Sequence, residues 1–299
     1  MYKLSRREFL RRAGIVGVTI CIAGEEFLGM LEAASNPTLS VASGGSPEIL
    51  VRKAVDGLGG IKKFVKPGNV VVIKPNLAWA RTPEQAANTN PEVISALIKL
   101  CKQAGAKRIT VLDHSCDNTT AAFSVNGVRD AVKAGARLVA ADKQFMFRSI
   151  EIPKGKILKS DECAKEILDA DVFINVPIAK VLGSTMITAG MKNLMGTNFN
   201  RQAWHNSADL DQCIADYSTA VKPDLIVLDA IKILLTRGPK GPGQIKDVGQ
   251  VIAGIDPVAI DSYAAKLLGK DPTQVSHIKY AAALGLGQMD LKKVTLRKA

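Results

Sequence analysis

Aromatic side chains make up only 5% of the 299 residues. That is too few for the stacking platforms on which RNA-binding strands depend, and no helix-turn-helix or zinc-finger pattern occurs. A nucleic-acid partner is therefore not expected, although the formal charge is +12. Cysteine is also sparse. Five occur, at 21, 101, 116, 163 and 213, with no Cys-x-x-Cys pair, so this chain offers no zinc or iron–sulfur cradle. Buried free thiols are the expectation; one or two disulfides stay open if the compartment is oxidising. No G-x-G-x-x-G supports a Rossmann dinucleotide site, and no glycine is followed at Walker spacing by Gly-Lys-Ser/Thr. Metal binding through His114, His205 and carboxylates stays open, but no His-x-x-x-His or similar spacing supports it and no residue is assigned as a metal ligand. The one apolar run near the start, Ala13 to Ala23, falls short of the roughly 20 residues a membrane span needs.

What precedes that run is informative. Ser5-Arg6-Arg7-Glu8-Phe9-Leu10, followed by Arg11-Arg12 and the weakly apolar stretch, reads as a twin-arginine export signal, an address for the translocation machinery. Residues 1–35 are assigned to that signal, with Ala33-Ala34-Ser35 as the best cleavage site. The protein is then expected outside the cytoplasm, in the periplasm or at the cell surface. Residues 36–299 are expected to form a single α/β domain. The segment 1–35 holds five Lys/Arg and four Asp/Glu, so +11 of the charge belongs to the folded body. Such a balance attracts anions.

The body alternates strand and helix. Val70 to Ile73 is a fully apolar run, the composition of a strand buried on both faces. Pro91 to Ala104 reads as a helix with Asn90 as its cap. Ala104-Gly105-Ala106 precedes an apolar run at 109–112, and Ala134-Gly135-Ala136 precedes another at 138–141. In each pair a helix ends at a glycine able to take positive φ and a strand follows. This rhythm predicts βαβ units and a mostly parallel sheet with helices on both faces. Further strands are expected at 38–42, 172–176, 225–228 and 251–253. Further helices are expected at 47–58, 161–168, 208–220, 257–268 and 273–283. Residues 146–158 suggest a small antiparallel excursion.

In open parallel sheets ligands bind beyond the carboxyl ends of the strands. Lys74-Pro75-Asn76 follows the first apolar run, Asp113-His114 the second, Pro177-Ile178-Ala179-Lys180 the central one, and Asp229 a fourth. Asp, Asn and Pro also follow strands because they start turns and cap helices. Lys74 is the stronger signal, since a lysine at the end of an apolar strand does neither. Gly190-Met191-Lys192-Asn193-Leu194-Met195-Gly196 places a cation beside an amide between two glycines. Arg201, Trp204 and His205 could close over a bound anion. Arg237 to Gly243 is either a surface turn or a basic lid, the latter only if it lies over the strand edge.

Lys74-Pro75-Asn76-Leu77, the 190–196 segment, Arg201 through His205, Gly238-Pro239 and Asp256-Pro257-Val258-Ala259-Ile260-Asp261 together resemble the domain of unknown function 362 family. The resemblance spans the chain after the signal. It implies an α/β domain, frequent twin-arginine export and frequent fusion to ferredoxin-like iron–sulfur modules, and it implies no established reaction. By resemblance, Lys74, Asn76, Lys180, Lys192, Asn193, His205, Asp229, Asp256 and Asp261 occupy motif positions. Family members often read Pro-Lys-x-Lys-Thr-His after the central strand; here Pro177 leads to Ile178-Ala179-Lys180-Val181-Leu182, without the first lysine and the histidine. The ferredoxin-like cysteines are absent too, so electrons would have to come from a separate iron–sulfur partner.

Three readings follow. An enzyme would clamp a small anionic substrate with Lys74, Lys180 and Lys192, and pass protons through Lys192, His205 or Asp113. Asn76, His114, Asn193, Arg201, Asp229, Asp256 and Asp261 would complete the binding set. A lysine crowded by other cations could itself serve as the base. A carrier for a ligand or cofactor would use the same residues without turnover. A purely structural reading has these groups capping helices. No cofactor is assigned.

Overall fold

The computed structural model describes residues 36–299; the proposed export signal lies outside them. Val71, Val72 and Ile73 are fully buried in strand β2 (Val70–Pro75), and they divide between two hydrophobic clusters. Alternate side chains of a strand point to opposite faces, so a continuous apolar run serves a sheet covered on both sides. Strands β1 (Thr38–Ser43), β3 (Arg108–Asp113) and β4 (Arg137–Ala140) flank it. A separate antiparallel pair, β5 (Phe147–Glu151) and β6 (Ser160–Ala164), precedes β7 (Val172–Val176). Then come β8 (Ile178–Leu182), β9 (Met186–Thr188), β10 (Leu225–Leu234), β11 (Ile245–Gly254) and β12 (Thr295–Lys298).

The main sheet runs β12-β1-β11-β10-β7-β2-β3-β4, with β8 and β9 attached beside β10. Contacts along β10-β7-β2-β3-β4 are parallel; β11 is antiparallel to β1 and to β10. One face carries helices α1 (Pro47–Asp56) and α2 (Pro91–Gln103), which bury Leu50, Val51, Leu97 and Ile98. The other carries α3 (Leu210–Ala220), α4 (Pro257–Leu267) and α5 (Ser276–Ala283), with Phe173, Trp204 and Tyr217 in their cluster. Ser46, Asn90, Asp209 and Asp256 cap the starts of α1 to α4 through their side chains. Gly105 adopts φ +87 directly after α2, where an added Cβ would stand 3.2 Å from Pro67 Cα. Only glycine turns the chain there without strain.

Three expectations are corrected. Residues 161–164 form part of strand β6; only Lys165–Leu168 is helical. Tertiary bonds decide this, because Asp161 accepts from Trp204 Nε1 at 2.6 Å and the Glu162 carbonyl accepts from Tyr217 Oη at 3.0 Å. Residues 178–180, expected only to follow the strand that ends at 176, begin a further strand, β8. Strand β7 pairs with β10 only at Leu225 and Ile226, and β8 takes over beside Asp229 and Leu234. Finally β10 and β11 are ten residues each, twice the expected length or more. Their outer halves pair as a two-stranded ribbon, in which Lys232 faces Asp247 across the ladder; Asp229 interrupts the apolar run of β10, and Lys246, Asp247 and Gln250 leave β11 without one before Val251.

Candidate functional site

Lys74 is the register partner of Asn175 on β7 and shares a sheet face with Val72 and Phe173. It is 1% exposed, and its ammonium donates to Asp113 Oδ1 at 2.7 Å, the Pro75 carbonyl at 2.7 Å and Asn193 Oδ1 at 3.2 Å. All three of its protons are thereby used. Burial pulls Lys74 below its ordinary pKa, and the Asp113 carboxylate opposes that pull. Asp113 also accepts from Leu77 N at 2.6 Å and His114 N at 2.9 Å. The ion pair thus ties together the loops that follow β2 and β3. Gly196 packs on it so closely that any Cβ would collide with both partners.

A relay of amides extends from this pair. Asn76 Nδ2 donates to Asn193 Oδ1 at 3.0 Å; Asn193 Nδ2 donates to Asn175 Oδ1 at 2.8 Å; Asn175 Nδ2 donates to the Gly190 carbonyl at 2.9 Å. At the other end Lys180 Nζ donates to Asn76 Oδ1 at 3.2 Å and to the Ala87 carbonyl. Asn175 was missed in the sequence, although a single amide inside Val-Phe-Ile-Asn-Val, buried at every position, is itself a signal. An amide in an apolar strand needs partners.

Above the relay lies a cavity of about 460 Å³, within the range of small-molecule sites. Nine of the twelve candidate residues line it. Lys74, Asn76 and Asp113 lie on it with Lys180 and Asn193; His114, Lys192, Arg201 and His205 complete the set. Trp79, Leu182 and Phe199 add apolar wall. Among the described residues no carboxylate stands within ion-pair distance of Lys180 or Lys192. Burial lowers Lys180 to about 7, and the nearby charges of Lys74 and Lys192 push the same way against Cys116 and Asp113. Burial likewise lowers Lys192 to about 8; its hydrogen-bond partner is the Met195 thioether, a weak acceptor. His205 is lowered by partial burial and by Lys192 and Arg201. His114, stacked on Phe199 with centroids 5.7 Å apart, is lowered by burial and by Arg201. The Arg201 guanidinium is fixed by the carbonyls of His114 and Ser115.

Three candidates lie elsewhere. Asp229 is buried in β10, where it accepts from Asn90 N at 2.8 Å and Ile231 N at 3.0 Å, and burial raises it to about 6. Asp256 caps α4 through Ala259 N at 2.8 Å and holds Gln288 N at 2.8 Å. Asp261 accepts from Gly190 N at 2.6 Å and Met191 N at 3.1 Å. These carboxylates satisfy backbone donors, which is the work of caps rather than of ligand contacts. Asp113 is on the cavity, but both its oxygens are engaged, so it organises the site and is poorly placed to pass protons. Asp261 has a further partner. His277 is fully buried with Nδ1 2.8 Å from Asp211 Oδ1 and Nε2 3.6 Å from Asp261 Oδ2. Burial alone would lower His277, but the two carboxylates prevail and raise it.

The Arg237–Gly243 segment joins β10 to β11, and its Pro239 lines the cavity. Lys240 pairs with Asp117 at 2.7 Å and lies 5.5 Å over the Trp79 ring, while Arg81 Nε donates to its carbonyl at 3.2 Å. The loop is seated over the strand edge. Gly238 leaves no room for a Cβ against the Val181 backbone. Cys101, Cys163 and Cys213 are buried free thiols, and Cys116 is exposed on the cavity. Among the described residues no group of three or more His, Cys, Asp or Glu could hold a metal ion, so the donors present do not fit an iron–sulfur centre. No helix among them is long and apolar enough to cross a membrane.

A mostly parallel α/β sheet with a cationic cavity at its carboxyl edge is the class of protein this structure defines. The chain belongs to the family described as Domain of unknown function (DUF362), whose model matches residues 71–266. It is 30% identical over 255 residues to the Thylakoid-associated protein sll1697 of Synechocystis sp., covering 81% of this chain and 76% of that one. Among solved structures it is similar to the lactate racemase apoprotein of Thermoanaerobacterium thermosaccharolyticum, with a TM-score of 0.45 and 12% identity over 83% of this chain. The chain spans 57% of that protein's length. A Thermotoga maritima protein has a TM-score of 0.46 at 11% identity, covering 75% of this chain and 60% of its own.

Two outcomes test this geometry. Asp261→Ala strands the N–H groups of Gly190 and Met191 and is expected to cost about 2–5 kcal/mol in urea unfolding; a change near zero contradicts the capping role. Lys180 tests the unpaired charge through pH. The unfolded chain holds that proton up to the ordinary value of 10.5, whereas the folded chain releases it near 7. Between those values the unfolded state binds more protons, so the contribution of Lys180 to stability rises with pH. The stability advantage of Lys180→Met over wild type therefore shrinks from pH 7 toward pH 10. A pH-independent difference would refute the shift.

Proposed function

We propose that this chain is an exported enzyme that binds a small anionic substrate in the cavity at the carboxyl ends of its strands. One observation carries the reading: Lys180 and Lys192 line that cavity with no carboxylate within ion-pair distance among the described residues. Burying unneutralised ammonium groups costs stability, and a bound anion would recover that cost. Lys192, Arg201 and His205 would hold the anion. Asn76 and Asn193, oriented by the amide relay, would keep Lys180 in place. Proton transfer would fall to the lysines of lowered pKa and to His205, since a base works best with its pKa near the operating pH.

Export rests on Arg6-Arg7 and the apolar run behind them. A redox link would need a separate iron–sulfur partner. The second reading, a periplasmic carrier of a ligand or cofactor for such a partner, draws on the same cavity and differs only in turnover.

Native mass spectrometry with metal analysis of the folded protein tests the site directly. A stoichiometric anionic ligand is expected, and Lys192→Met is expected to lose it with about a tenfold or greater fall in affinity. Unchanged retention in that variant would remove Lys192 from the site. Turnover of the released compound marks the enzyme, and tight return without turnover marks the carrier. For export, the full chain carrying Arg6→Lys and Arg7→Lys together is expected to stay in the cytoplasmic fraction; undiminished periplasmic recovery would exclude the twin-arginine route.

A further inference from the structure

Lys180 and Lys74 are both 1% exposed, yet their nitrogens face different chemistry. Lys74 has a carboxylate and two neutral oxygens, one acceptor for each proton of an ammonium. Lys180 has two acceptors, Asn76 Oδ1 and the Ala87 carbonyl, and both are neutral. A free primary amine carries two N–H groups and one lone pair. Two acceptors match its two N–H groups and leave the lone pair available to the cavity that Lys180 lines. Lowering of its pKa to about 7 agrees with that count. Near pH 7 such a lysine holds about a thousandfold more free base than an ordinary one. Desolvation beside another cation is a known way to make a lysine nucleophilic.

The surroundings specify the electrophile. Lys192, Arg201 and His205 offer positive charge on the same cavity, and Trp79, Leu182 and Phe199 offer an apolar wall. We propose that Lys180 condenses with the carbonyl carbon of a 2-oxo acid whose carboxylate is held by Lys192 and Arg201 and whose side chain rests on the apolar wall. This rests on the anion-binding reading above and adds the substrate class and the nucleophile.

The amine lone pair forms the N–C bond as the carbonyl π pair moves to oxygen. That oxygen takes a proton from a neighbouring acid, Lys192 or His205, and the nitrogen returns one to the same group, leaving a carbinolamine. Loss of hydroxide as water, with a second proton from that acid, gives the iminium, and the proton remaining on nitrogen goes back to the same group to leave the imine. One amine and one ketone thus become one imine and one water, with no change of oxidation state.

The test uses the full mature chain with pyruvate or phenylpyruvate, lactate as the control without a carbonyl, and sodium cyanoborohydride to trap the imine. The expected product gains one ligand less one oxygen atom, at one per chain, and peptide mapping of the wild-type protein places it on Lys180. Lactate protects against labelling and leaves no adduct. Folded Lys180→Arg, checked by circular dichroism, loses the adduct while still binding lactate by calorimetry. Binding of both acids without an adduct, or an adduct spread over surface lysines, overturns the imine and leaves the anion site standing. Failure of every acid to bind overturns both.

Discussion

The buried pair of Lys74 and Asp113 sets the geometry on which the rest depends. Two opposite charges 2.7 Å apart, almost out of reach of solvent, attract strongly, but desolvation consumes much of that attraction. Its value lies in placement. The carboxylate fixes the backbone after β2 and after β3, the ammonium fixes Asn193, and Gly196 closes over both. The carboxyl edge of the sheet becomes a rigid floor. The acid nearest the floor spends its direct contacts on Lys74 and two backbone N–H groups, and it reaches Lys180 only through longer-range attraction.

That imbalance distinguishes a site from a set of caps. Carboxylates elsewhere in the fold are matched to backbone donors, as Asp229, Asp256 and Asp261 show. Asp261 also reaches the cavity indirectly. It grips the start of the turn that carries Lys192 and Asn193, and behind it His277 bridges to Asp211 on α3. Three helices on one face therefore brace the residues presented at the edge. Placement by a supported backbone keeps cationic side chains from drifting toward bulk water.

Much of this was legible in the chain. Apolar runs at 70–73, 109–112 and 172–176 became parallel strands because both faces of the sheet are covered, and Gly105 and Gly135 both take positive φ. Lys74 stood out because a lysine ending an apolar strand has no local purpose. The three distant aspartates could not be separated from ligand contacts, since a cap and a clamp use the same residue type after the same strand. Strand β8 was hidden by Pro177, which reads as a loop, and by its pairing with the outer half of β10. Residues 161–164 looked helical until partners more than 30 positions away, Trp204 and Tyr217, claimed Asp161 and the Glu162 carbonyl. Local pattern carries no information about such partners.

The central claim is that two lysines on one cavity have no carboxylate within ion-pair distance among the described residues, and that a bound anion supplies the counter-charge. Carbon-13 NMR of the lysine Cε positions, followed against pH with and without a bound small carboxylate, reads this directly. The account predicts two resonances titrating near 7 and 8 in the free protein, both moving upward when the carboxylate binds. If every lysine titrates together near 10.5 and none responds to the carboxylate, the cavity is an ordinary solvated surface and the account is wrong.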